Sequence, residues 1–202
     1  MSTAKQIMQK KAFIKTQMDQ QYPKAESDRI WKLATRKLDE ILKRYESLPK
    51  GIHTHTDNYI FPSAALYLTA REIIGEEKAY KIVEDAAIYN SSSAGKKLAK
   101  LMKIPGMAGL FVKVWDPMTR KMFSTGNGFR NRFYPKKKGE YRMDVIACPY
   151  CKYFSELGCP ELTKIFCDND ERVYGNLPRI AFRRKSTLGK GADCCDFYLK
   201  KL

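Results

Sequence analysis

Apolar residues recur at helical spacing through the first half of the chain and at two-residue spacing near its end, a pattern that predicts helices first and strands last. The clearest stretch is Ile30, Leu33, Ala34, Leu38, Ile41, Leu42 and Tyr45, with Lys32, Arg36, Lys37, Lys43 and Arg44 on the opposite face. Pro23 opens that helix and the segment from Pro49 to Gly51 closes it. Residues 3–21 form a weaker amphipathic segment carrying Ile7, Met8, Phe13, Ile14 and Met18. A further helix follows Asp57 and runs to Gly75, and another spans Glu76 to Tyr89. The cluster Ser91-Ser92-Ser93 predicts a break or a new cap before a segment from Lys97 to Met102. After Pro105-Gly106, one more apolar helix covers Leu110 to Met122.

Beyond Gly128 the period changes to two. Phe129 to Tyr134 and Tyr141 to Ala147 read as one strand pair, and Ile180 to Arg184 and Cys194 to Leu199 as a second, joined by a Gly189-Lys190-Gly191 turn. Two short helices lie between the pairs, each opened by proline behind cysteine at Cys148-Pro149 and Cys159-Pro160. Gly158 ends the first of them. The order defines an α+β chain, its helical N-terminal half packed on a small antiparallel sheet. Residues 1–50 read as a helical extension and 51–202 as the main α+β domain, the two forming one compact unit.

Composition narrows the function classes. The 202 residues carry 38 Lys+Arg against 22 Asp+Glu, a formal charge of +16, yet 44% are apolar or aromatic, too many for a disordered basic tail. No apolar run reaches membrane-spanning length, and the first 21 residues lack the profile of a signal peptide, so the expectation is a soluble cytoplasmic protein. Such a charge brings nucleic acid to mind. The excess, however, is spread over residues 1–50 and 101–150 and not gathered on one element. The run Arg130, Arg132, Lys136, Lys137 and Lys138 reads as an exposed strand-edged loop, and no nucleic-acid motif accompanies it. His53 and His55, the two histidines, read as members of a solvated polar loop.

The six cysteines all fall between 148 and 195. In a cytosolic chain they point to metal binding, catalysis or burial rather than to disulfides. Cys148 and Cys151 form half of a zinc ribbon whose other half is missing. The same Cys-Pro-Tyr-Cys has the local spacing of a thioredoxin-like site, but no βαβ unit leads into it. Cys148 and Cys159 precede first helical turns, where unpaired N–H groups favour thiolate. Cys167 and Asp170 are three apart and share a helix face with Tyr174. In the last strand Cys195 alternates inward with Phe197 and Leu199.

These residues also carry a family likeness. Cys148-Pro-Tyr, Gly158-Cys-Pro-Glu161-Leu162, Phe166-Cys167 with Asp170, Phe182-x-Arg184-x-x-Thr187-Leu188-x-x-Gly191 and Cys195-Asp196-Phe197 resemble the L-2-amino-thiazoline-4-carboxylic acid hydrolase family. The likeness covers about residues 55–202 and is most specific after 145. A more distant similarity is to the four-vinyl-reductase type of small-molecule-binding domain, which has helices packed on an antiparallel sheet and leaves open a non-catalytic binding or sensor role.

The hydrolase resemblance implies ring opening of a cyclic isothiourea, with water added at the carbon between ring sulfur and ring nitrogen. It assigns Cys167 or Cys148 as nucleophile, Cys195 as a further motif thiol, Asp170 as the proton-handling carboxylate and Arg184 as a clamp for a substrate carboxylate. The alternative for the same thiols is zinc held by Cys148, Cys167 and Cys195, with water or Asp170 completing an open site. The partner is thus a small-molecule carboxylate. A homodimer is one option for assembly.

Overall fold

The computed structural model describes residues 2–202. It opens with α1 (Ala4–Gln9) and α2 (Ala12–Gln21), followed by the long α3 (Lys24–Arg44) with Pro23 just before its first turn. A nearly unbroken helical run comes next: α4 (Lys50–His55), a π-helical turn over Thr56–Ile60, and α5 (Phe61–Ile74). α6 (Glu76–Met102) and α7 (Met107–Met122) complete the helical half. Strands β1 (Arg130–Phe133) and β2 (Glu140–Ala147), helices α8 (Pro149–Glu156) and α9 (Leu162–Tyr174), and strands β3 (Ile180–Arg183) and β4 (Cys195–Lys201) follow in that order. The α+β reading holds.

The strands make one antiparallel sheet in the order β1-β2-β4-β3. The two expected pairs are therefore fused through β2 and β4, with Met143 opposite Phe197 and Val145 opposite Cys195. One sheet face is buried by alternate residues, including Tyr141, Met143 and Val145 of β2 and Cys195, Phe197 and Leu199 of β4. α7 closes that face with Ala108, Val112 and Trp115, and its Thr119 hydroxyl is 2.6 Å from the Tyr141 hydroxyl. A second core forms where α3 and α5 pack, joined by α6, α8 and α9. Ile30, Ala34, Leu38 and Ile41 enter it from α3, and Ala4, Ile7 and Met8 from α1, beside Phe61, Leu66 and Tyr67 of α5.

Three local expectations are corrected. Pro49 does not simply end the α3 helix; it stands at the start of α4, so His53 and His55 are helical and not in a solvated loop. The serine cluster does not break α6, because the Ser91 hydroxyl donates to the Ala87 carbonyl at 2.7 Å and the helix continues. The small residues there serve close packing: a Cβ on Gly95 would lie 2.7 Å from the Arg172 carbonyl oxygen of α9. Finally, α9 begins at Leu162, two residues beyond Pro160, and Cys159 is fully buried in the turn before it.

Among the described residues no helix is long and apolar enough to cross a membrane.

Candidate active site

A cavity of about 300 Å³ lies where the helical core meets the buried face of the sheet. Its chemistry comes from few elements. β2 leads into α8 and places Cys148 and Tyr150 at the wall, α9 presents Cys167, Asp170 and Tyr174 from one face, and Arg184 and Cys195 arrive from the β3 and β4 side. The expected Cys167-Asp170-Tyr174 face thus lines the cavity, and Cys195 points inward as the strand alternation requires. The rest of the wall is largely apolar, with Phe123, Phe129, Phe166 and Phe197 among its side chains.

Cys167 is the activated thiol of the group. The Cys195 thiol donates to its sulfur, the backbone N–H of Gly189 points at it and the Arg184 guanidinium adds positive potential; together these outweigh burial and bring Cys167 down to about 6. The buried Thr187 hydroxyl, which has no oxygen or nitrogen partner, contributes in the same sense. Gly189 is required for this approach, since a Cβ there would sit 2.7 Å from the Cys167 sulfur. Cys195 shifts the opposite way, well up from the usual thiol range, because its proton is held by Cys167 and it is buried. Its sulfur also accepts from the Leu188 N–H at 3.3 Å.

Asp170 and Arg184 form a second pair on this wall. Arg184 is not a strand-surface residue: its side chain is 4% exposed, donating from Nη1 to Asp170 Oδ2 and from Nη2 to the Cys167 carbonyl, each at 2.6 Å. Asp170 faces the cavity with its side chain 31% exposed, and partial loss of solvent lifts its carboxyl to about 7 in spite of Arg184. A thiolate and a carboxylic acid therefore coexist near neutral pH on one helix face.

The other thiols behave differently from the helix-start expectation. Cys148 precedes α8, but its thiol donates to Cys151 and burial adds to the effect, so it is raised well above the usual range. Cys151 is the thiol of that pair shifted down. Cys159 is pushed up to about 12 by burial and does not line the cavity. All six cysteines are free. Cys148, Cys167 and Cys195 line one cavity, but among the described residues no three Cys, His, Asp or Glu side chains converge as the ligands of one ion would. The thiols interact two by two, Cys148 with Cys151 and Cys167 with Cys195. The three-thiolate zinc set is not assembled in this geometry.

His55 was missed as a wall residue. It is buried, with Nε2 3.2 Å from the Met122 carbonyl and Nδ1 3.3 Å from the Tyr150 hydroxyl. The carbonyl can only accept, so Nε2 carries the proton and Nδ1 accepts from Tyr150. Burial lowers its pKa and keeps the ring neutral. His53 instead pairs with Asp57 one turn along, at 3.0 Å. That i,i+4 spacing, together with Pro49 ahead of it, is the sequence signal for a helix here. Met8, Lys11, Phe13, Ile14 and Trp31, all from residues 1–50, also line the cavity. No sequence pattern marks them as site residues.

Fold and site together define an α+β protein built around a largely apolar, thiol-bearing pocket of small-molecule size. The family model of L-2-amino-thiazoline-4-carboxylic acid hydrolase matches residues 53–199, and the chain belongs to that family. No curated protein and no solved structure matches it. Helices α1, α2 and α3 lie outside the matched range.

Proposed function

We propose that this protein hydrolyses a C–N bond of a small cyclic amidine, with L-2-amino-thiazoline-4-carboxylate or a close relative as substrate. The observation that carries the reading is the convergence of Cys167, Asp170 and Arg184 on one cavity wall, within a chain of this hydrolase family. Cys167 is the nucleophile, because a thiol shifted down to about 6 is ionised at neutral pH while remaining strongly nucleophilic. Asp170, lifted to about 7, is the acid. Arg184 holds Asp170 in place and sustains the thiolate.

In the first half-reaction the thiolate adds to the amidine carbon. Asp170 gives its proton to the ring nitrogen, a second proton passes to that nitrogen from the exocyclic amino group, and the ring C–N bond breaks. An open thioimidate remains on Cys167. In the second half, water adds to the same carbon, and one of its protons goes to the imine nitrogen. The other returns to Asp170 as the carbonyl forms and the Cys167 thiolate departs. Water thus supplies the carbonyl oxygen and two protons, and both enzyme groups return to their starting states. Cys148 and Cys195 hold their protons and do not attack; Cys195 supports the reacting thiol, and Cys148 lines the wall beside it.

Incubating the pure protein with the thiazoline and following the carbamoyl-cysteine product by mass spectrometry tests the proposal. Turnover that disappears in Cys167→Ser supports it. A wild-type protein that binds the thiazoline without converting it would favour a binding or sensor role instead.

A further inference from the structure

Among the described residues two cations, Lys11 and Arg184, line the cavity, and they stand in different circumstances. Arg184 is engaged by Asp170 and by the Cys167 carbonyl. Lys11, at the junction of α1 and α2, has among the described residues neither a carboxylate nor any other hydrogen-bond acceptor for its ammonium; its Nζ lies 5.6 Å from the centre of the Tyr59 ring. It is nevertheless partly buried, and loss of solvent lowers its pKa. Placing an ammonium against an apolar wall without a counter-ion is unfavourable unless something anionic enters beside it.

Charge balance points the same way. In the reactive form Asp170 is protonated, His55 is neutral, and Cys148 and Cys195 keep their protons. Among the described residues the Cys167 thiolate is then the one negative group on the wall, and Arg184 compensates it. Lys11 is left as a single uncompensated positive charge, matched by a ligand with one negative charge. Met8, Phe13 and Ile14 from the same two helices flank it on the wall.

We propose that Lys11 binds the carboxylate of the substrate, so that the N-terminal helices outside the family-matched range supply the group that selects anionic substrates. Arg184 stays with the reacting groups and is not the substrate clamp. The inference deepens the proposed function and rests on it only for the identity of the anion.

A binding measurement keeps the two ideas separable. L-Thiazolidine-4-carboxylate and unsubstituted thiazolidine differ by the carboxylate, and neither contains the amidine carbon at which the ring would open. Calorimetric titration of the full chain should show the carboxylate compound bound about tenfold to a hundredfold more tightly, the range expected for one charge-assisted contact. Lys11→Met should abolish that preference and Lys11→Arg should retain most of it, each with an unchanged thermal melt. A preference that persists in Lys11→Met, or its absence from the wild type, overturns the inference. Cys167-dependent turnover of the thiazoline alongside such a result would leave the hydrolase reading standing. Lys11-dependent carboxylate binding with no turnover would do the reverse.

Discussion

Arg184 donates to Asp170 at 2.6 Å, and yet Asp170 retains its proton up to about pH 7. A surface carboxyl beside an arginine would shift down. Here desolvation at the cavity wall outweighs the guanidinium, and Arg184 holds the carboxyl in a fixed orientation.

The pH dependence of turnover follows. Cys167 must be deprotonated, which happens above about 6, and Asp170 must be protonated, which holds below about 7. kcat/KM should therefore trace a narrow bell, rising through the thiol's titration and falling through the carboxyl's, both limbs belonging to the interacting pair. Asp170→Asn should lower kcat/KM by about a hundredfold to ten-thousandfold. A profile that rises to a plateau through pH 9 would remove Asp170 as the acid.

Modification kinetics provide a check independent of any substrate. Iodoacetamide should label Cys167 ahead of Cys148 and Cys159, with a rate that rises through about pH 6 when sites are resolved by peptide mapping. Preferential labelling of Cys148 would contradict the ordering of the thiols.

Cys195 acts through Cys167. Removing its proton-donating contact in Cys195→Ala should move the Cys167 titration upward, measurable as thiolate absorbance against pH, and should slow turnover at pH 6.5 more than at pH 8.5. Cys195→Ser keeps a donor in place and should recover part of the shift. Equal loss at both pH values, with the titration unmoved, would show a packing role alone.

Gly189 offers a steric test. In Gly189→Ala the new Cβ would stand 2.7 Å from the Cys167 sulfur and 2.9 Å from Thr163 Cγ2, so the thiol or the turn must move. Overpacking of this kind destabilises by about 1 to 3 kcal/mol. The variant should show a lowered melting temperature and a Cys167 pKa shifted toward that of a free thiol. An unchanged melt and titration would mean that the turn does not position the thiol.

The elements legible in the sequence were those whose pattern is set by burial on one side. The α3 helix shows its buried stripe of Ile30, Ala34, Leu38 and Ile41, and the last strand its alternation of Cys195, Phe197 and Leu199, because each packs against a core along its whole length. The motif residues Cys167, Asp170 and Arg184 do share one wall. What stayed hidden depends on contacts distant in sequence. Ser91 looks like a helix breaker until its hydroxyl finds the Ala87 carbonyl and α9 lies against the small residues beside it. Cys148 looks activated by its helix start, but its proton goes to Cys151 and burial adds to the shift. His55 looks solvated until Tyr150, 95 positions away, meets its ring. Lys11 gives no sign at all: a lysine between two short helices is ordinary surface, and only the wall it joins makes it notable.

The cavity wall draws on most of the chain, from Met8 to Phe197, but two groups of its side chains stand apart. Cys167 and Asp170, the thiol and acid of the proposed reaction, come from the C-terminal quarter of the chain, whereas Met8, Lys11, Phe13, Ile14 and Trp31 reach the wall from its first fifty residues. Changes among those five side chains can retune which molecules are admitted while the reaction centre stays intact. The N-terminal helices also build the core against α5, so the direct route to a new substrate range is to exchange the lining side chains and keep the helices that carry them.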